Sequence, residues 1–250
     1  MDVYENVVVG NFLFALGLRM GMRHGVAPVE PLSVNLLQQT PLDQTLGDVV
    51  LGSKTLFRII EFKRAASRSD KEEGKLRRLA AGLAARRARR LEKLSRKIHW
   101  YVRSDFRRSH DEVSVVPYLD FMRGVAPTKF TDFIDQTAEE VNAGPLGDEV
   151  VVDCRKYLDL LSHVHDDDGK DASGCLIVFV GSDGGMRFIP VDNVRDFLRT
   201  PRELSDRLVA QQQARLREAE QRVAARQRAE LAREAEVQEQ RMSRGLSMGG

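Results

Sequence analysis

Aromatic residues make up only 6% of this 250-residue chain, and cysteine occurs just twice, at Cys154 and Cys175. So few thiols exclude a disulfide framework and fit a reducing, cytoplasmic compartment. Scarce aromatics leave a core of mostly aliphatic side chains, in a composition that is 42% hydrophobic and 30% charged. Long apolar runs are lacking too. The longest, Val7 to Leu18, is broken by Gly10 and Asn11 and is too short for a bilayer. It is not expected to act as a signal peptide, because Asp2 and Glu5 stand where positive charge is needed. Net charge is nearly absent at +2, and the length allows one or two domains with a sizeable core.

The small net charge hides a strong asymmetry. From Lys63 to Arg108 there are 17 basic residues and five acidic ones, a local net charge of +12 against −10 for the rest. A surface of that polarity seeks polyanions, although a solvated helix that pairs with the chain's own acidic half is the bland alternative.

Apolar periodicity predicts a helix over 3–23, with Val8, Phe12, Leu16 and Met20 on one stripe. Glu5 lies one turn before Val8 and Val9 on that stripe, a costly place for a carboxylate unless something satisfies it. Prolines 28, 31 and 41 punctuate the next stretch and leave 33–37 as a short strand or turn. The clearest hairpin signal is the pair of β-branched runs 46–51 and 55–63 around Gly52-Ser53-Lys54. A single long helix over 71–98 follows, then a strand over 113–121. Helices over 129–142 and 153–163 come next, joined around a short strand at 149–152. A second hairpin pairs 175–180 with 186–191. After Pro201 a Gln/Arg/Glu/Ala-rich helix runs to Arg244, and 245–250 is expected to be disordered.

One constellation could carry chemistry. Period-two geometry puts Glu61 and Lys63 on one face of the second hairpin strand, and Asp48, on the first, is a neighbour that can reach them. Two carboxylates suit Mg²⁺ (with Mn²⁺ as a substitute), a hard cation that takes few protein ligands, and the Phe62 carbonyl is a third donor. Lys63 would then orient or help deprotonate a metal-bound water and stabilise charge on a phosphate. Two decoys, Glu73-Gly74-Lys75 and Asp168-Gly169-Lys170, lack a flanking strand. His163 to Asp168 reads as a solvated acidic loop. His99-Trp100-Tyr101, set among cations, reads either as a nucleic-acid surface or as the anchor of a helix end.

With Asp48 followed by Glu61-Phe62-Lys63, the first half of the chain resembles the PD-(D/E)xK nuclease superfamily. The resemblance implies an α/β fold, a restriction-endonuclease-like mixed sheet flanked by helices. It implies metal and catalytic roles for Asp48, Glu61 and Lys63, with Glu5 supporting from the first helix. Two departures stand out: Gly47 rather than proline precedes Asp48 (Pro41-Leu42-Asp43 is a second acidic candidate), and the 71–98 helix lacks a Gln-x-x-x-Tyr feature. Lys75 and Arg78 are candidates for the supporting contacts there.

The domains expected are a nuclease core over 1–125, an α+β accessory region over 126–200, and a charged helix with a tail over 201–250. The expected activity is Mg²⁺-dependent cleavage of DNA, with RNA as an alternative substrate. Arg64, Arg68, Lys75, Arg78, Arg86, Arg90 and Lys97 would grip the phosphate backbone. The 201–244 helix would dock a protein partner or self-associate, and a role in bacterial defence or restriction is analogy from the resemblance. The alternative is a catalytically inactive nuclease-like protein that binds nucleic acid or assembles complexes.

Overall fold

A computed structural model of the chain describes residues 3–24, 32–37, 47–65, 70–106, 113–164, 175–180, 186–191, 196, 198–199 and 201–246. The order of elements is α1 (Glu5–His24), β1 (Ser33–Leu36), β2 (Val49–Gly52), β3 (Phe57–Arg64), α2 (Asp70–Ala85), α3 (Arg89–Ile98), β4 (His99–Ser104) and β5 (Val113–Pro117). After a 3-10 turn at Tyr118–Asp120 come β6 (Thr128–Lys129), α4 (Phe130–Val141), α5 (Asp148–Val164), β7 (Cys175–Val180), β8 (Met186–Val191) and α6 (Pro201–Leu246). The result is a mixed α/β architecture in which helices flank a six-stranded sheet.

Strands β1 to β6 lie side by side in chain order, and every neighbouring pair is antiparallel except β3 and β4. That parallel pair needs a crossover, which α2 and α3 supply. The β2–β3 hairpin forms where the β-branched runs predicted it, with Gly52 opposite Phe57. Ser53 closes the turn by accepting the backbone N–H groups of Thr55 and Leu56. The strand β3 is buried on both faces from Phe57 to Phe62, as a central strand should be.

One sheet face packs against α1 and α4. Val8, Val9, Phe12 and Leu16 of α1 meet Ile60 and Phe62 of β3, Trp100 and Val102 of β4, and Phe133, Ile134 and Ala138 of α4. Phe12 is fully buried, with ring centroids 5.6 Å from Phe62 and 6.0 Å from Phe133. Elsewhere α2 and α3 pack on α5. There the Tyr157 hydroxyl lies 2.7 Å from the Ser95 hydroxyl and 2.8 Å from His99 Nδ1. The chain divides into two compact units, 1–201 and 202–250, and α6 supplies the described part of the second. No described helix is long and apolar enough to cross a membrane.

Several expectations are corrected. The helix expected over 71–98 is two helices, broken where Arg87 takes a left-handed conformation at φ 49°. The Ala88 N–H bonds back to the Leu83 carbonyl there, a helix-ending pattern that glycine normally serves. The strand after the crossover is 99–104, so 113–117 is the fifth strand rather than the fourth. His99, Trp100 and Tyr101 lie within β4 and are buried, which removes the nucleic-acid-surface reading, whereas Trp100 does anchor the end of α3 in the core, donating its indole N–H to the Lys97 carbonyl at 2.9 Å. Residues 149–152 are helical, and α6 continues through Leu246, so 245–246 are ordered into that helix. The alternative Asp43, and the Asp168-Gly169-Lys170 segment, lie outside the described residues.

Candidate active site

The carboxyl end of β3 gathers charges from four elements. Asp48 is the bend residue just before β2, not within it. Its backbone N–H donates to the Ile60 carbonyl at 3.0 Å, and its carbonyl accepts the Leu37 N–H at 2.8 Å. Its side chain is aimed by a third contact, because Oδ2 accepts the Phe62 N–H at 2.6 Å. The hairpin register therefore brings Asp48 to Glu61 and Lys63, as strand alternation predicted.

Lys63 is the hub. Its ammonium lies 2.5 Å from Glu61 Oε1, 3.9 Å from Asp48 Oδ2 and 4.0 Å from Glu5 Oε2, and it donates to the Phe62 carbonyl at 3.1 Å. Glu5, at the first turn of α1, is held by accepting the Arg64 N–H at 3.1 Å. The polar role of Glu5 on an otherwise apolar stripe is thereby accounted for. Access to the cluster is from the side of Lys63 and Glu5, whose side chains are 20% and 25% exposed. Asp48 and Glu61 are sealed behind them at 4% and 2%.

Helix α2 adds a second lysine. Lys75, expected on the solvent-facing basic surface, is instead buried. It lies 2.8 Å from Glu72 and 3.9 Å from Glu61 Oε1, so of the two supporting candidates it is the one that reaches the site, while Arg78 is exposed. The Tyr118 hydroxyl donates to Glu72 at 3.0 Å and completes the rear wall. Neither Glu72 nor Tyr118 carries a sequence signal that separates it from its neighbours. Gly47 does, in hindsight: at φ +126° it needs glycine, and a Cβ there would lie 3.1 Å from Glu61 Oε2 and 3.2 Å from the Ile60 carbonyl.

The electrostatics are unbalanced. Four carboxylates (Glu5, Asp48, Glu61, Glu72) surround two ammoniums (Lys63, Lys75). Burial, and then the Asp48 charge, push Glu61 from 4.5 up to about 8, against the pull of Lys63. Burial alone would lower Lys63, but Glu61 and Asp48 outweigh it and hold the amine firmly protonated. Burial also works against ionised Glu72, and Lys75 more than offsets it, so that carboxyl stays low. Burial and the Glu72 charge push the Tyr101 hydroxyl up to about 12. With a strongly held proton, Lys63 serves as a charge and a hydrogen-bond donor rather than as a base.

Among the described residues, no group of three or more His, Cys, Asp or Glu side chains is arranged to hold a metal ion. The donor chemistry nevertheless fits a hard dication. Glu61 Oε1 is fully shielded and, although close to Lys63, receives no well-directed hydrogen bond. Four carboxyl groups facing two ammoniums come to two negative charges in excess once Glu61 gives up its proton, and that excess is matched by one Mg²⁺.

The basic segment is only partly free. Arg90 pairs with Glu149 at 2.8 Å and with Asp153, and Arg96 pairs with Asp120 at 2.7 Å. The acidic second half thus neutralises part of α3. Arg78, Arg86, Arg87, Arg89, Lys93 and Lys97 are exposed, Arg64 is half-buried over the Tyr4 ring, and Arg68 lies outside the described residues. Cys154 is buried, and its thiol is pushed up to about 12 by burial and Asp153, so it is an inert core residue. No protein-family model matches the chain, and no curated protein or solved structure is significantly similar to it.

Proposed function

We propose that the chain is a Mg²⁺-dependent phosphodiesterase that cleaves DNA, built on a restriction-endonuclease-like core. The observation that carries this reading is the buried excess of carboxylate around Lys63 at the end of β3. A protein does not retain such a cluster for stability, and strongly perturbed groups in a partly open site point to chemistry. The element order supports the finer fold: α1, three antiparallel strands, a helical crossover, then β4 parallel to β3. That is the order the PD-(D/E)xK resemblance implies.

Asp48 and Glu61 would hold the cation, with the Phe62 carbonyl as third donor, Glu5 supporting, and Mn²⁺ as a workable substitute. When bound, such an ion polarises a phosphoryl oxygen and lowers the pKa of its water. The protein's own groups do the rest. Lys63 places a fixed ammonium where negative charge grows on the phosphate. The Phe62 N–H and the Ile60 carbonyl fix Asp48, so that carboxylate needs no reorganisation. Lys75, itself held by Glu72, reaches Glu61 from behind. Arg64, Arg78, Arg86 and Lys97 would contact the phosphate backbone, a sequence-independent grip that weakens as salt rises. A defence or restriction role rests on the resemblance alone.

A second reading has its own observation. Lys63 already bridges the carboxylates, and Asp48 and Glu61 are almost fully shielded, as they would be in an inactive nuclease-like protein that only binds nucleic acid. Conversion of supercoiled plasmid in Mg²⁺ separates the two. The enzyme reading expects nicking or linearisation by the wild type and none by Glu61→Ala. DNA binding without cleavage in Mg²⁺ or Mn²⁺, unchanged in Glu61→Ala, would establish the second reading instead.

A further inference from the structure

Helix α1 has two unlike faces. Its inner face carries Val8, Val9, Phe12 and Leu16 into the core, and its charged residues lie on that side too: Glu5 at the active site, and Arg19 and Arg23 paired with Asp135 and Glu139 of α4. The outer face carries no charge along the helix. Tyr4, Val7, Phe14, Leu18 and Met22 follow a three-and-four spacing and are 68%, 46%, 71%, 52% and 68% exposed. Asn11, the polar member of the row, turns its amide onto the Val7 carbonyl at 2.8 Å. Gly10, Gly17 and Gly21 border the row, and no atom comes within 4 Å of where their Cβ atoms would be. Three glycines within one helix cost about 1 kcal/mol each relative to alanine, and the core does not need them.

We infer that this face is a homodimer interface, on which α1 of a second copy packs antiparallel about Phe14. The face is self-complementary in that register. The two Phe14 rings meet at the dyad, and on either side of it Val7 lies level with Gly21, Leu18 with Gly10, and Asn11 with Gly17, so a larger residue is matched by a glycine in each flanking pair. A groove of 640 Å³ beside Val3, Val7, Phe106 and Phe130 lies at the end of the row, where Met22 of the second copy arrives. At about 200 Å² for a whole large side chain, the five apolar residues expose roughly 600 Å² per copy. A pair therefore buries about 1,200 Å², the lower edge of a specific interface. A patch of that size on a monomer marks an interaction site, and one whose charges are confined to its edge, Arg64 over the Tyr4 ring and Lys129 in the groove, fits its own copy better than a charged partner.

Sedimentation of the full chain tests the inference. It expects a reversible dimer that Phe14→Glu weakens by about 100-fold or more, since two buried carboxylates would meet at the dyad. Position 14 is exposed in the monomer, so circular dichroism should be unchanged. In a Cys175→Ser background, Phe14→Cys should cross-link under mild oxidation and Tyr4→Cys should not. A monomer at about 100 µM, a dimer indifferent to Phe14→Glu, or cross-linking through position 4 instead of 14 would each overturn it. Indifference to Phe14→Glu would move self-association to another surface such as α6.

Discussion

Strand β3 buries Arg58 on the face packed against α4 and, three residues later, Glu61 on the face packed against α2, both at 2% exposure or less. The guanidinium of Arg58 lies over the rings of Trp100 at 5.3 Å and Phe133 at 4.8 Å and pairs with Glu140 at 2.8 Å. Burial lowers its pKa by more than Glu140 raises it, and its Nε and Nη1 find no hydrogen-bond partner, so one counter-charge and two aromatic faces offset the burial of this charge only in part. Glu61 has the opposite surroundings: Asp48 and Glu72 add negative charge faster than the lysines remove it. One site sets a single charge against a single counter-charge between aromatic rings, and the other gathers an excess of one sign. An excess that costs stability is kept when function uses it.

Substitution separates the two sites most strongly. Glu61→Ala should lower plasmid cleavage by about 10³-fold while the protein stays folded, because the change relieves a buried carboxylate. Arg58→Ala should do the reverse. It opens space between Trp100 and Phe133 and costs about 3 kcal/mol, read in urea, with the cleavage rate per folded molecule retained. If the two variants exchange phenotypes, the division of roles on β3 is wrong. Lys63→Ala should lower cleavage by about 10²-fold and leave salt-sensitive DNA binding nearly intact, measured by fluorescence anisotropy.

The two sites also differ in how folding is linked to protons. Glu61 binds its proton more tightly in the folded chain, with the pKa raised from 4.5 to about 8. The folded state therefore holds a proton that the unfolded state has released, and stability falls as pH rises through that window. Thermal unfolding without divalent cations should show the wild type losing roughly 3 kcal/mol between pH 5 and 8. Glu61→Gln should flatten that slope, whereas Arg58 substitutions should leave its shape unchanged. Smallest is Gly47→Ala. The added methyl meets Glu61 Oε2 and the Ile60 carbonyl at a backbone conformation foreign to alanine, so stability should drop by about 1–2 kcal/mol with cleavage impaired beside it.

Much of this site is legible before folding, because its spacing is local. Asp48, Glu61 and Lys63 sit on a hairpin whose β-branched runs and Gly52 turn set the register, and alternation then puts Glu61 beside Lys63. Glu5 is legible as a carboxylate out of place on an apolar stripe. Lys75 is legible only as one of two unranked candidates beside Arg78, because a lysine in a basic run looks the same whether it faces solvent or reaches 3.9 Å from Glu61. Strand β4 is hidden for another reason. The helix α3 passes into His99 with no glycine or proline between, so its β-rich residues read as a helix end. The break at Arg87 has no marker either, since the left-handed residue there is an arginine. The pairing of α3 with Glu149 and Asp153 depends on α5, some 60 residues away, and no local pattern announces it.

The central claim is that the excess carboxylate on β3 is a cation site, and calorimetric titration of Mg²⁺ in buffers of different ionisation enthalpy tests it directly. The account predicts one Mg²⁺ per chain at pH 7 with release of close to one proton, because Glu61 is mostly protonated below about 8. Glu61→Gln should lose the proton release together with most of the affinity. Absence of Mg²⁺ binding, or binding with the same proton release in Glu61→Gln, would contradict it.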